Sequence, residues 1–330
     1  HEYDIRGEYT KLINYCRSIT GSNNQHIVNY KYAKTRDLGR LQSIEPSLQR
    51  LYNGFRGVLC DGYMYDVDMC NAHPTFILNL CKQHNIKYKY LSKYIRKRED
   101  CLINIMEDFD ISRCEAKGQL LKLLNKTTPT FKVNNKKVKK DSFYSKFDKE
   151  TTRITEKLYD IYKDDVKFKS YLKNEDTYNI KGKFVNGILC YIENEYLQKA
   201  LTKCVKKGLF KKSDIAVLMY DGFMINACNY NIDTIISYLN GYFEKDGVKW
   251  DFKSHNAELL EYIEEIDVIQ NDRFVGNNII EIVDHIMSGL LKDKIYRDGS
   301  CLYYITNEMI ISHEKTIKSS LYDIVYSHLS

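Results

Sequence analysis

The stretch that decides the fold is Ile215-Ala216-Val217-Leu218-Met219-Tyr220, then Asp221-Gly222, then Phe223-Met224-Ile225. Two apolar runs flank a two-residue Asp-Gly step, which is the signature of a tight β-hairpin. A second Asp-Gly lies at 61–62, between Val58-Leu59-Cys60 and Tyr63-Met-Tyr-Asp-Val-Asp68. It predicts another hairpin over 57–68. The side-chain period of a strand is two, so Asp66 and Asp68 share a face.

Helical spacing surrounds these strands. Pro74 suits a first turn, and Phe76, Ile77, Leu80 and Cys81 form one apolar stripe, so a helix is expected from about Pro74 to His84. Further helices are expected over 8–19, 91–125, 150–173, 183–206 and 231–244, with a short strand near Trp250 to Lys253. Lys132 to Lys140 is basic and poor in apolar residues, hence a loop or mobile arm. Past about Val268 the pattern changes to helix, two short strands around Asp298-Gly299, and helix. The expected organisation is a large unit over 1–267 and a small α/β unit over 268–330.

With 330 residues, 43% hydrophobic and 28% charged, the chain can bury a core. No run of eighteen apolar residues occurs, so no membrane span or membrane partner is expected. No secretory pattern opens the chain, and the expected location is cytoplasm-like, not secreted. The chain opens on His1 rather than Met, as an excised piece of a longer protein would. Ten cysteines contain no C-x-x-C pair and are read as reduced thiols. Cys81-x-x-His84 has no second half at zinc-finger spacing and reads as a core cysteine beside a surface histidine. No G-x-x-x-x-G-K-[ST] occurs, which excludes a P-loop ATPase in this chain. The net charge of +6 is compatible with an anionic partner.

Two features carry chemistry. Asp68 ends one strand and Asp221 sits at the tip of the other hairpin. Carboxylates on adjacent strand ends can hold two divalent cations about 4 Å apart, and oxygen ligands favour Mg²⁺ or Mn²⁺. Asp66 is a further candidate ligand. On the intervening helix Arg113, Lys117 and Leu121 follow i, i+4, i+8 spacing, two cations and an apolar neighbour suited to a triphosphate and a base. Taken singly, Asp221-Gly222 reads more readily as an ordinary turn and the helix face more readily as an ordinary solvated one.

Taken together, these residues resemble a known family. Thr35-Arg-Asp-Leu-Gly-Arg-Leu-Gln-Ser-Ile-Glu-Pro-Ser-Leu-Gln49, a hairpin, and Asp68-Met-Cys-Asn-Ala-His73 resemble the T-G-R-L-S-S-x-x-P-N-L-Q and D-Y-S-Q-I-E motifs of family A DNA polymerases. Arg113-x-x-x-Lys117 resembles the fingers motif. Lys183 to Cys190, with Asn186 in register, resembles N-x-P-I-Q-G. Tyr220-Asp221-Gly222 resembles the H-D-E hairpin. All five blocks occur in family order from Thr35 to Ile225. The Asp-x-x-Asn-Ala-His-Pro variant is similar to the transposon–virus polymerases, which occur fused to helicases in virophages and other mobile elements.

The resemblance implies an α+β right-hand core. An antiparallel palm sheet would carry Asp68 and Asp221, helical fingers would span about 85–175, and thumb-like helices would accompany them. It implies a DNA polymerase, with primase activity open, acting in replication of a virus or mobile element with two Mg²⁺ or Mn²⁺ ions. Expected partners are a DNA primer–template, dNTPs or NTPs, and a helicase domain beyond Ser330. The location implied is the cytoplasm or a viral factory within it.

By the same resemblance Arg113, Lys117, Leu121, His73 and Asn71 would bind nucleotide. Arg40, Gln49, Lys183, Asn186 and Tyr220 would meet primer and template. The chain departs from the family at Gly222 for the hairpin Glu, Leu121 for an aromatic, Asn125 for a Tyr and His73 for the sugar-sensing Glu. These departures motivate a rival reading, an inert polymerase-like module that binds DNA and places a helicase. A metal nuclease is a weaker rival, because the aspartates lack the further ligands such sites gather.

Overall fold

The computed structural model describes residues 28–32, 38–126, 132–134, 136–172, 178–227 and 229–255, with 11, 12, 14, 15 and 18 near the start. The expected unit over 268–330 and most of the expected helix over 8–19 lie outside the described residues.

In chain order the elements begin with two short strands, β1 (Tyr30–Lys31) and β2 (Gln42–Ser43), and a helical turn at Leu48–Arg50. Helix α1 (Asn53–Cys60) leads into β3 (Met64–Cys70), and α2 (Ala72–Gln83) follows after one residue. Then come α3 (Lys89–Arg96), α4 (Arg98–Phe109), α5 (Arg113–Asn125), the ribbon β4 (Lys132–Val133) and β5 (Lys136–Lys137), and α6 (Phe143–Tyr162). After a 3₁₀ segment at Val166–Leu172 come α7 (Ile180–Lys207), β6 (Ile215–Met219), β7 (Gly222–Asn226), α8 (Ile232–Tyr242) and β8 (Lys249–Ser254).

Four of these strands form one antiparallel sheet in the order β6-β7-β3-β8. Alternation gives its faces opposite characters. Val67, Met69, Phe223, Ile225 and Trp250 point into the main core with Phe76 and Ile77 of α2, Leu197 of α7 and Leu239 of α8. On the other face Asp66 lies opposite Met224 and Lys253, and Asp68 lies opposite Gly222 and Asp251. Met64 and Met224 close one end of that face in a second cluster with Leu48, Leu51 and Cys60.

The helices are fixed by local chemistry at their ends. Ser112 and Glu115 form a reciprocal capping box at the start of α5. Buried Glu150 of α6 accepts the backbone N–H groups of Tyr90 and Leu91 at 2.7 and 2.8 Å, capping α3 from another helix. Asn179 donates to the Asn125 carbonyl at 3.0 Å, and a Cβ on Gly182 would lie 2.6 Å from that oxygen. Only glycine lets the start of α7 sit on the end of α5.

Three expectations need correction. Val58-Leu59-Cys60 is not the first strand of a hairpin; it is the end of α1. A short apolar run has no readable period, and Gly62, at φ 71°, turns a helix into a strand as readily as it joins two strands. The partners of β3 come instead from β7 and β8, far along the chain. The basic 132–140 segment is not a plain loop. It contains the β4–β5 ribbon, with Val133 buried and Asn134 donating to the Phe109 and Asp110 carbonyls. The helix expected over 150–173 begins at Phe143 and ends at Tyr162.

Candidate functional site

Asp68 and Asp221 come together as their motifs predict. Asp68 sits near the end of β3, and the β6–β7 turn is pinned beside it by a bond from Met69 N to the Asp221 carbonyl, 3.0 Å. Asp66 is buried one step back on the same face, and its Oδ1 has no hydrogen-bond partner among the described residues. Burial, then repulsion from Asp68, pushes the Asp66 carboxyl up to about 7. Burial, then Asp68 and Glu193, pushes Asp221 up to about 6. The face is thus crowded with carboxylates that repel one another.

Lys253 on β8 partly offsets this crowding. Its ammonium lies 3.3 Å from Asp68 Oδ2. Burial opposes its charge, but Asp68, Asp66 and Asp221 outweigh that and hold its pKa above the usual lysine value.

Gly222 stands where the H-D-E motif has its Glu, and the structure gives a steric reason for glycine. A Cβ there would lie 2.1 Å from the Val67 carbonyl oxygen and 2.4 Å from Asp68 Oδ1. Asp68 and a side chain at 222 cannot share this register.

Beside Asp221 is a second polar cluster, built around Glu193 of α7. This carboxylate is 1% exposed. Arg40 grips it with two nitrogens, Nε to Oε2 and Nη2 to Oε1, the latter at 3.0 Å. His73 Nε2 lies 3.3 Å from Oε1. Burial opposes a charge on His73, but Cys190 and Glu193 outweigh it and carry the ring up to about 9. Burial likewise opposes the Glu193 charge, and His73 and Arg40 overcome it, so its pKa falls below the ordinary value. The Arg40 guanidinium also lies over the Tyr220 ring, 5.0 Å from its centroid. His73, Cys190 and Glu193 bring potential ligand atoms within 4.8 Å of one another. Arg40 and His73 already engage both Glu193 oxygens, so the cluster is an ion-pair network rather than a metal cage.

The expected nucleotide-binding cations separate. Lys117 is lowered below the usual lysine value by burial, then by Arg98 and Lys253, so it stands among other cations, one of them the lysine that pairs with Asp68. Arg113 turns away to Glu99 of α4 in a two-bond pair, 2.9 and 2.7 Å. Leu121 is 41% exposed. Asn71 occupies the position before α2 in a left-handed conformation at φ 50°, without a side-chain capping bond. In the first turns of α7, Lys183 is exposed and Asn186 half-buried.

Gln49, expected at the primer–template, turns inward instead. It is 6% exposed; Oε1 accepts from Ser43 N, and Nε2 donates to the Leu41 and Leu218 carbonyls. Its polar atoms serve to join the 3₁₀ turn to β6 and face away from solvent.

Sequence reasoning missed Glu193 and Lys253. Glu193 interrupts the apolar stripe Leu189, Leu197, Leu201 of α7, and a charge at such a position was the available signal.

No protein-family profile matches the chain. It is 27% identical over 238 residues to the protein described as putative helicase V13 of Sputnik virophage, which covers 69% of this chain. The matched region spans 30% of that relative's length. Among solved structures, the chain resembles the POL domain of Pol1 from M. smegmatis, solved with DNA primer–template and dNTP. That match has a TM-score of 0.52 and 11% identity, and covers 76% of this chain and 51% of the other. A likeness at this identity is one of fold: a mixed helix-and-sheet polymerase-like domain with an antiparallel sheet. No described helix is long and apolar enough to cross a membrane.

Proposed function

We propose that this chain is a template-directed nucleotidyltransferase of the family A type, extending a DNA primer with dNTPs during replication of a viral or mobile element. One observation carries the reading. Asp68 and Asp221, far apart in sequence, converge with Asp66 on one sheet face inside a fold shared with a polymerase domain.

The residues fit a divalent cation pair. Asp66 Oδ1 is buried and unpartnered, and the mutual repulsion of three carboxylates is what bound cations relieve. Asp68 and Asp221, with Asp66 behind them, would hold Mg²⁺ or Mn²⁺. Bound there, the ions would supply activation of the attacking hydroxyl and charge neutralisation at the transferred phosphate.

The chain's own residues do the rest. Lys117, with Arg98 and Lys253 nearby, presents positive charge to a triphosphate arriving over the carboxylate face. Arg113 joins only if it leaves Glu99. Arg40, braced on Tyr220, meets the primer end, and His73 lies beneath the nucleotide sugar. Positioning and charge neutralisation account for most of phosphoryl transfer, and these are the tasks the site performs.

Primer extension with Mg²⁺ or Mn²⁺ tests the proposal. Wild type should incorporate dNTPs, and Asp68→Asn and Asp221→Asn should abolish incorporation while DNA binding persists. Wild-type rates in both variants would refute the two-metal assignment. A wild type that binds primer–template and never incorporates would establish the inert DNA-binding module in its place.

A further inference from the structure

We propose that Glu193 is a positioning residue that sets sugar choice, by holding His73 and Arg40 as one fixed cationic unit against the Tyr220-Asp221 hairpin. The proposal rests on the polymerase reading above.

A carboxylate inside an apolar helix stripe is retained only when its charge is matched. Here the match comes from two different parts of the chain. Arg40 follows Gly39, whose φ of 111° sets the backbone direction that delivers the guanidinium. His73 lies in the first turn of α2, three residues after β3 ends. Glu193 therefore ties the strand that carries Asp68 to the arginine that lies over Tyr220.

Removing the carboxylate changes this geometry in a definite way. Arg40 Nη2 and His73 Nε2 lie 3.5 Å apart. Without the anion between them two cations cannot remain so close, so His73 gives up its proton, and Arg40 loses the carboxylate that held it in place. The groups facing His73 are Glu193 and Cys190 from α7 and Arg40 from the segment before β2. Asp221 acts on Arg40, and Glu193 acts on Asp221. With Glu193 gone, no carboxylate remains bonded to the imidazole in this set. A ring held on Glu193 is a fixed wall beneath the sugar, and a released ring can rotate and leave room for a 2′-hydroxyl.

The test uses Glu193→Gln, which keeps side-chain volume but removes the charge and one of the two acceptor oxygens, and Glu193→Asp as the conservative charge-keeping variant. The imidazole C2–H resonance of His73, assigned against His73→Ala, is titrated by NMR. In wild type the ring should stay protonated past neutral pH. In Glu193→Gln, with burial and Arg40 both opposing its charge, it should titrate no higher than the ordinary value of about 6.5. The ratio of kcat/KM for NTP over dNTP should rise about tenfold in Glu193→Gln and return toward wild type in Glu193→Asp.

A merely structural role would lower the melting temperature and total activity while moving neither the titration nor the ratio. A folded Glu193→Gln with unchanged His73 titration and unchanged ratio overturns the proposal. If wild type never incorporates nucleotide, the polymerase reading fails, and the titration still decides whether the clamp exists.

Discussion

Gly222→Ala adds a single methyl group at the most crowded point of the sheet. The new carbon would lie 2.1 Å from the Val67 carbonyl oxygen, 2.9 Å from the Val67 carbonyl carbon and 2.4 Å from Asp68 Oδ1. Two of those atoms are backbone, so no side-chain rotation relieves them. Relief requires β7 to move roughly an ångström from β3, straining the bond from Met69 N to the Asp221 carbonyl. Overpacking of this kind costs about 1–3 kcal/mol, and a weakened hydrogen bond adds about 1 kcal/mol. Reduced freedom of the unfolded chain returns about 0.4–1 kcal/mol. The expected destabilisation is about 1–3.5 kcal/mol, or a melting temperature lower by about 2–14 °C for a domain of this size. Urea denaturation and thermal melting measure it directly. Asp68 Oδ1 must also move, so the gain in melting temperature from Mn²⁺ should shrink. Gly222→Glu, which adds a carboxylate at the same crowded point, should be worse on both counts. A Gly222→Ala protein that melts within about 1 °C of wild type would refute the steric argument.

Other expectations follow from the charges. Lys117→Ala should raise the nucleotide KM or cut turnover by roughly ten- to a hundredfold, from a charge-assisted interaction of about 1.5–3 kcal/mol, with primer–template affinity nearly unchanged. Arg113→Ala should act more weakly because Arg113 engages Glu99; equal effects in steady-state kinetics would place both on the phosphates. The raised carboxyls of Asp66 and Asp221 bind protons more tightly in the folded protein than in the unfolded one. The stability this confers is present below their unfolded values near 4 and is lost as pH climbs through about 6 to 7. Metal-free melting temperature should fall across that window, less steeply in Asp66→Asn, and Mg²⁺ should stabilise wild type more at pH 8 than at pH 5.5. Matching profiles for wild type and Asp66→Asn would discount the buried carboxyl. DNA affinity should fall steeply with salt, and alanines at Lys137 and Lys140 should flatten the slope by about 0.9 for each phosphate that is no longer neutralised.

The hairpin from Ile215 to Asn226 was legible because its two apolar runs and Asp-Gly turn are local signals. Asp68 was legible near the end of an alternating strand and the helix after it by its apolar stripe, whereas the helical spacing over 91–125 did not show where that stretch divides into α3, α4 and α5. Pairing was not legible. Lys253 meets Asp68 only because β8 lies beside β3, and the two residues are 185 positions apart. Glu193 was hidden for the same reason, since its partners Arg40 and His73 lie in earlier segments. Gly222 read as a lost ligand, because a sequence states which group is absent and not which atom occupies its space. Gln49 matched its motif by type, yet burial decides which side of the chain a glutamine serves.

That inward glutamine has a counterpart across the sheet, and together they bear on how the protein behaves in company. Leu218, on the outer strand β6, gives its N–H to the Tyr30 hydroxyl and its carbonyl to Gln49. At the opposite border, Asn240 of α8 takes the N–H and carbonyl of Trp250 on β8. Each margin of the sheet thus has a backbone donor and acceptor plugged by side chains one residue in from a strand end. An incoming strand from another molecule meets no continuous ladder to extend, and the lysines of β8 repel it further. Among the described residues each edge is interrupted in this way, so Gln49→Ala or Asn240→Ala should raise aggregation beyond what the loss of folding energy alone predicts.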